Sequence, residues 1–467
     1  MTLYCLTSFG GMRQFFRDSD SGWHIRNGER ILQMKEVPVS EPFSFSKPGG
    51  QWFAWEWLSD ITMAVAHGWD GLRGVFFLYL GVLTLISWIW FQLHWAVGSW
   101  FLPAALSTWV MLTTSTIHWL ARPHIFGWLF LLLAVWMAET VALRRNRAWH
   151  LVVAILGCAW ANMHGSFFLG VAVFALYAFE ARWKGSPDAA RLGAWALLAA
   201  LVSFINPYGW RVHAHIFSYL TNRELLSKVG EFQTFNFQME GTSALVVAML
   251  LAGMGAGLNL SQGRWARGVL CLVLFVGALR SARGLPLVAL IAVPLSVSAF
   301  CQALEYWRAA ARYNANLRKL DLSCGGLAWA PLFLVLCLGL GRLPALAAKA
   351  GFDLKEFPVT LSKQIALLPA EARLYANDKF GGYLIYRFAG ERKVFFDGRS
   401  DYYGADFMNR YLKIPAAKPG WREEWDRWGF THALVPKTEA LTLWLPEMGW
   451  TKIGEDEAAL LFAKGSK

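Results

Sequence analysis

The strongest constraint on this chain is a series of apolar runs that recurs through its first 350 residues and then stops. They cover about 72–93, 97–118, 125–143, 149–163, 166–181, 190–205, 242–259, 265–280, 285–303 and 327–350. Most approach the 17 to 25 residues that an α-helix needs to cross about 30 Å of hydrocarbon, and a helix satisfies its own backbone in lipid. Of 467 residues, 56% are hydrophobic, 26 are Trp and only 16% are charged, whereas soluble domains carry about 25% charged residues. The sequence therefore predicts a polytopic α-helical membrane protein with about 10–11 transmembrane helices.

Three parts follow. Residues 1–71 form an N-terminal segment and first outer loop, residues 72–350 a transmembrane helical domain, and residues 351–467 a small C-terminal extracytoplasmic α/β domain. Met1–Phe16 is short and interrupted by Gly10, Gly11 and Arg13. It reads as the remainder of a first transmembrane helix whose upstream part is missing, and it lacks the pattern of a signal peptide. The six cysteines, Cys5, Cys158, Cys271, Cys301, Cys324 and Cys337, show neither a disulfide framework nor zinc spacing.

The formal charge of +12 means little until it is located. Residues 351–467 hold 17 Lys and Arg against 16 Asp and Glu, which leaves an excess of 11 on the rest. One set of connections carries Arg144, Arg145 and Arg147, then Arg182, Lys184 and Arg191, then Arg264 and Arg267, then Arg308, Arg312, Arg318 and Lys319. The opposite short connections carry only Arg122, Arg280 and Arg283. By the positive-inside rule the first set is cytoplasmic. The basic excess then reflects topology and anionic lipid, and nucleic acid is not expected as a partner. The first loop, the loop over 206–240 and the tail all fall on the outer side, where a site can be assembled from the three.

Asp18 and Asp20 stand one residue apart, so in an extended segment their carboxylates point the same way. One can act as a general base, or the two can ligate Mg²⁺ or Mn²⁺, which favour oxygen ligands. The plainer alternative is a solvated loop with Asp capping a helix over Trp23–Gln33. His24, Arg26 and Glu29 follow on the next turns, and Arg26 is suited to gripping a phosphate. Trp52, Trp55 and Trp57 fit an interfacial aromatic belt better than a sugar-stacking platform. Glu56 and Asp60 would share a helix face.

Arg122 and His124 close the outer end of one span, and His164 the outer end of another. Arg280 and Arg283, three apart, would share a helix face at the outer boundary. Arg and His facing outward together suit a phosphate or pyrophosphate headgroup, with snorkelling the rival explanation, stronger for Arg280. His213 and His215 are too few for a zinc site. In the tail, strands are expected at 374–376, 393–396, 432–435 and 460–463, with helices near 381–389, 405–413 and 420–428. Asp397 and Asp401 follow the second strand, placed to meet a ligand or the membrane loops, although turn and cap chemistry explains them as well. No P-loop or dinucleotide fingerprint is present.

The run Asp18-Ser19-Asp20-Ser21-Gly22-Trp23-His24-Ile25-Arg26-Asn27-Gly28-Glu29, the blocks Pro42-Phe43-Ser44-Phe45 and Trp55-Glu56-Trp57-Leu58, and Asp397-Gly398-Arg399-Ser400-Asp401 resemble a group of bacterial polytopic proteins. With its outer acidic motif, many spans and outer α/β tail, nearly the whole chain resembles the GT-C class of membrane glycosyltransferases. The tail's Asp378-Lys379-Phe380-Gly381-Gly382-Tyr383 is similar in layout to the Trp-Trp-Asp-Tyr-Gly region of oligosaccharyltransferase catalytic subunits, without the Trp-Trp pair.

That resemblance implies transfer of a sugar from a polyprenyl phosphate or diphosphate to an envelope acceptor on the outer face of a bacterial inner membrane. Asp20, and second Asp18, would be the catalytic carboxylate or a ligand of Mg²⁺ or Mn²⁺. Arg122, Arg280 and Arg283 would hold the lipid phosphate, with His24, Arg26, Glu56, His124, His164, Asp397 and Asp401 completing the substrate-binding set. The alternative from another class is a non-catalytic transporter or envelope-assembly partner with a ligand-binding outer domain. Asp20 separates the two: catalysis needs it beside an outer cavity with an Arg in reach, whereas a non-catalytic protein can leave it as a surface cap.

Overall fold

The computed structural model describes residues 11–323 and 351–465. The apolar run over 327–350 and the first ten residues lie outside these. Each apolar run up to residue 303 is a helix: α2 (Trp57–Val97), α3 (Phe101–Ser115), α4 (His124–Glu139), α5 (Ala148–Met163), α6 (Phe168–Trp183), α7 (Ala189–Val202), α9 (Ser243–Ser261), α10 (Trp265–Arg280) and α11 (Gly284–Ala303). Among the described residues α2, α9 and α11 are long and apolar enough to cross a membrane. The chain is a multi-pass membrane protein.

The helices pack through one face and leave another to lipid. On α2, Phe76, Tyr79, Leu80, Leu83, Ile86, Trp90 and Leu93 recur every three or four residues and are buried. Elsewhere Leu106, Trp109, Leu151, Ile155, Leu201, Leu250 and Val273 stay exposed, as lipid-facing side chains do. At the end carrying the basic connections, Glu139 binds Arg267 through both oxygens at 2.6 and 2.7 Å and accepts the Tyr177 hydroxyl at 2.6 Å. This cross-link joins α4, α6 and α10.

The first loop is not a simple solvated segment. It opens with helix α1 (Asp20–Met34), and α2 begins at Trp57 and breaks at Asp70 (φ −154°) and Gly71 (φ 56°), where the positive φ suits glycine. An amphipathic helix, α8 (Trp210–Thr221), lies in the 206–240 loop with Trp210 and Phe217 exposed. Trp52 is buried, and Trp57 donates its Nε1 to Asn162 Oδ1 at 2.8 Å. Of the expected aromatic belt, Trp52 is therefore interior and Trp55 and Trp57 are half-buried.

The tail is an α/β unit on a mixed sheet of order β1-β2-β4-β3, with β1 (Leu374–Tyr375) parallel to β2 (His432–Pro436) and the hairpin of β3 (Trp450–Glu455) and β4 (Ala459–Lys464) antiparallel. Helix α12 (Asp378–Arg387) follows β1, and further helices span Ala405–Tyr411 and Trp421–Trp428. One expected strand is not in the sheet. Val394, Phe395 and Phe396 are buried, but Val394 exchanges backbone hydrogen bonds of 2.9 and 3.0 Å with Phe43 and Phe45, and Phe395 accepts from Ser46 Oγ. The first loop thus takes the bonds that a neighbouring strand would have taken. The β3 strand, in contrast, had not been expected from the sequence.

Two further contacts lock loop and tail together. Helices α1 and α12 cross at Gly22 and Gly382, where a Cβ on Gly382 would lie 2.6 Å from the Ser19 carbonyl oxygen. Below them Arg399 is buried with Asp397 (2.7 Å) and Glu41 (2.6 Å), and its guanidinium lies 4.7 Å from the Trp52 ring centroid. Glu41 in turn accepts the Phe43 and Ser44 amides. A buried guanidinium is tolerated there because two carboxylates and aromatic faces surround it.

Candidate active site

The site begins at the N-terminus of α1. Asp18 Oδ1 accepts the Asp20 amide at 2.9 Å, which turns both carboxylates toward the end of α4. Arg122, in the turn before α4, meets them: Nη1 lies 2.7 Å from Asp18 Oδ2 and Nη2 lies 2.7 Å from Asp20 Oδ2. Nη1 also lies 2.7 Å from Glu231 Oε1. Arg283, capping α11, donates through Nε to Glu231 Oε2 at 2.7 Å and rests over the Phe232 ring. Two guanidiniums and three carboxylates therefore form one chain of charge.

Burial decides how that charge is carried. It pushes the Asp20 carboxyl up to about 7 against the pull of Arg122, with Asp18 and Glu231 adding to the rise. Burial alone would lower Arg122, but Asp18, Asp20 and Glu231 hold it well above its ordinary value. Burial would likewise raise Glu231, but Arg122 and Arg283 keep it well below the usual carboxylate range. With Asp20 as the group that gains and loses the proton, the cluster is balanced near neutrality.

These groups line a cavity of about 680 Å³. Its walls come from the first loop, the ends of α4 and α5 nearest the tail, the loop around α8, Arg283, and the tail turn Phe396–Asp401. Glu56, His24 and His164 face it together. His24 Nδ1 is 2.6 Å from Asp60 Oδ1, and burial keeps its imidazole well below its ordinary value. His124 also lines the cavity and is turned by a 2.8 Å bond from Nε2 to the His118 carbonyl. Asp401 lines it 3.2 Å from His215 Nε2.

Three expected site residues stand elsewhere. Arg26 donates to the Tyr386 carbonyl at 2.8 Å and pairs with Glu29, away from the cavity. Two positions after His24 on a helix is a rotation of about 200°, so the two side chains face opposite ways. Arg280 is exposed at the last residue of α10. It does not share a helix face with Arg283, because Ser281 is extended (φ −146°, ψ 130°) and breaks the helix between them. Asp397 is wholly buried against Arg399 and Tyr403.

Other groups in the site had no role assigned from sequence. Glu231 lies in the 206–240 loop without a partner that spacing could reveal, since Arg122 and Arg283 are far from it in the chain. Asp60 was paired only with Glu56 by helix spacing; its partners prove to be His24 and Asn27, the latter at 2.6 Å. Gly398 presses its backbone on Asp20: a Cβ there would collide with Oδ1.

The sequence matches no protein-family profile and no curated protein. The fold does have counterparts among solved structures. ArnT from Cupriavidus metallidurans, bound to undecaprenyl phosphate, is similar over 100% of this chain and 98% of its own, with a TM-score of 0.55 and 14% identity. The fold is that of the GT-C glycosyltransferases. The oligosaccharyltransferase AglB from Archaeoglobus fulgidus, in complex with an inhibitory peptide and a dolichol-phosphate, aligns over 89% of this chain with a TM-score of 0.55 and 12% identity. An Archaeoglobus fulgidus oligosaccharyltransferase in the apo form gives 0.56 and 13% over 93%. The chain spans 65% and 68% of those two oligosaccharyltransferase chains.

In this GT-C fold the first acidic motif is held by a guanidinium. Asp18, Asp20 and Glu231 converge on Arg122, which occupies the position that a shared cation would take. Among the described residues no three His, Cys, Asp or Glu side chains are gathered as metal ligands. As arranged, Asp18 and Asp20 do not fit a divalent ion unless Arg122 moves away.

Proposed function

We propose that this protein is a GT-C glycosyltransferase that moves a sugar from a polyprenyl phosphate or diphosphate to an envelope acceptor on the outer face of a bacterial inner membrane. The observation that carries this reading is the Asp20–Arg122 pair, buried on the wall of a cavity large enough for a glycosyl headgroup. Asp20 is not a surface cap, as a non-catalytic role would allow.

The acceptor's nucleophilic atom gives its proton to Asp20 and forms a bond to the anomeric carbon. The bond from that carbon to the phosphate oxygen breaks, and its electron pair stays on the phosphate. Arg122 and Arg283 stand on the same wall and offset the charge of the departing lipid phosphate. Phe168 and Leu220 line the cavity and are also exposed at 42% and 40%, beside the exposed Phe217 of α8. Such an apolar mouth suits a polyprenyl chain lying in lipid while its headgroup enters. A path for transport finds less support, since Glu139 is spent on Arg267 and Tyr177 at the other end of the bundle.

A Mg²⁺ or Mn²⁺ ion at Asp18 and Asp20 would have to compete with Arg122, so the reading assigns their charge to that arginine. The deciding experiment is transfer of labelled sugar from a panel of polyprenyl-phosphate donors in membranes holding the full-length protein, compared with Asp20→Asn at matched expression. Transfer that is lost in the variant supports the reading. Absence of transfer across the panel, or equal transfer by the variant, overturns it.

A further inference from the structure

Glu56 lines the same cavity as Asp20 and Arg122 but makes no ion pair with an arginine, and its carboxyl has no hydrogen bond among the described residues. Two imidazoles flank it. His24 Nε2 lies 3.9 Å from Oε2, and His164 Nε2 lies 3.7 Å from Oε1. Each ring is fixed through its other nitrogen, His24 by Asp60 at 2.6 Å and His164 by Ser166 Oγ at 2.7 Å. Asn27 holds the second oxygen of Asp60, and Trp23 stacks on the His24 ring at 3.6 Å. The Nε2 atoms and the carboxyl are thus three rigidly aimed hydrogen-bonding groups with unfilled capacity, all facing one space.

They are also uncharged together. Burial, then Asp60, pushes Glu56 up to about 8, with Asp401 adding to the rise and Arg122 and Arg283 opposing it. Burial takes His164 down to about 3 and holds His24 well below its ordinary value. At neutral pH the set offers donors and acceptors without a counter-ion for a phosphate. Trp52 and Trp55 line the same cavity, and aromatic faces suit the apolar face of a sugar ring.

We propose that Glu56, His24 and His164 form the subsite that grips the hydroxyl groups of the sugar on the lipid donor. This rests on the transferase reading and names the part of the donor that the arginines do not hold. The subsite and the arginines then divide one ligand: hydroxyls to the first, phosphate to the second.

The test is lipid binding to the full-length protein in nanodiscs at pH 7, read by tryptophan fluorescence. The probes are polyprenyl phosphate and polyprenyl-phosphate hexoses and pentoses. Wild type is expected to bind at least one sugar-bearing lipid about tenfold tighter than the sugar-free lipid, the worth of one or two hydrogen bonds. Glu56→Ala should erase that advantage and leave the sugar-free lipid bound as before. Glu56→Gln should keep it, because an amide has the shape and the donor of a protonated carboxyl.

His164→Ala serves as an independent variant and should lose the same advantage. An advantage that survives in Glu56→Ala or His164→Ala overturns the subsite, and so does Glu56→Gln failing as badly as Glu56→Ala. Equal binding of every probe by wild type overturns the subsite alone. If wild type binds none of them, the transferase reading falls and the subsite with it.

Discussion

The backbone of Gly398 rests against the Asp20 carboxylate so closely that any Cβ at position 398 would collide with Oδ1. The tail therefore borders the cavity and fixes where the Asp20 carboxylate stands. Gly398→Ala should displace Asp20 and lower transfer by about 10²-fold, the scale of loss for a group moved by about 1 Å. Lipid binding and yield should stay near wild type. Unchanged transfer would show that the tail does not position Asp20.

Asp20→Asn should cost about 10³-fold in transfer, the usual range for a positioned general base. Arg122→Lys should cost about 10²-fold, because an ammonium cannot bridge the two aspartates and Glu231 as a planar guanidinium does. Both are checked by initial rates at matched expression. A lysine variant with wild-type rates would mean that Arg122 contributes only charge.

The pH profile should be bell-shaped. Activity should rise as Asp20 loses its proton near 7 and fall as Glu56 loses its own near 8. Glu56→Gln should abolish the falling limb. Both carboxyls hold protons more tightly folded than unfolded, so stability should decline as pH rises from the ordinary carboxylate range through 7 to 8. Thermal unfolding in detergent across that window checks the sign, and a rising melting temperature would contradict it.

Chelation should leave transfer unchanged. Arg122 already neutralises the carboxylates that a divalent ion would use. Loss of activity in EDTA, restored by Mg²⁺ or Mn²⁺, would show that Arg122 yields its place to a metal during turnover.

Glu139→Ala should destabilise the bundle by about 3 kcal/mol, since it leaves Arg267 without its carboxylate at a mostly buried site. Sugar transfer per folded molecule should stay near wild type, because the pair lies outside the cavity. Detergent melting curves with rates normalised to folded protein separate the two effects.

Much of this arrangement follows from local physics that a sequence carries openly. Apolar runs of bilayer length must become helices, and the distribution of Arg and Lys among their connections groups Asp18, Arg122, His164, Arg283 and the tail as one set of segments. That grouping is why Asp20, Arg122 and Glu56 were legible as site residues, and all three line the cavity. Direction was harder to read. Arg26 and Arg280 are charged like Arg122, but a helix rotation turns one away and an extended serine separates the other from Arg283.

Only the tertiary structure decided the partners. Glu231 bridges Arg122 and Arg283 across long chain separations, and Val394 pairs with Phe43 and Phe45 in place of a sheet neighbour. Asp397 became the buried counter-ion of Arg399, while its neighbour Gly398 came to touch Asp20. Spacing along a helix or strand determines which side chains share a face. Which distant face meets it, and so which carboxylate is desolvated enough to hold a proton near neutrality, depends on packing between segments that the local sequence does not encode.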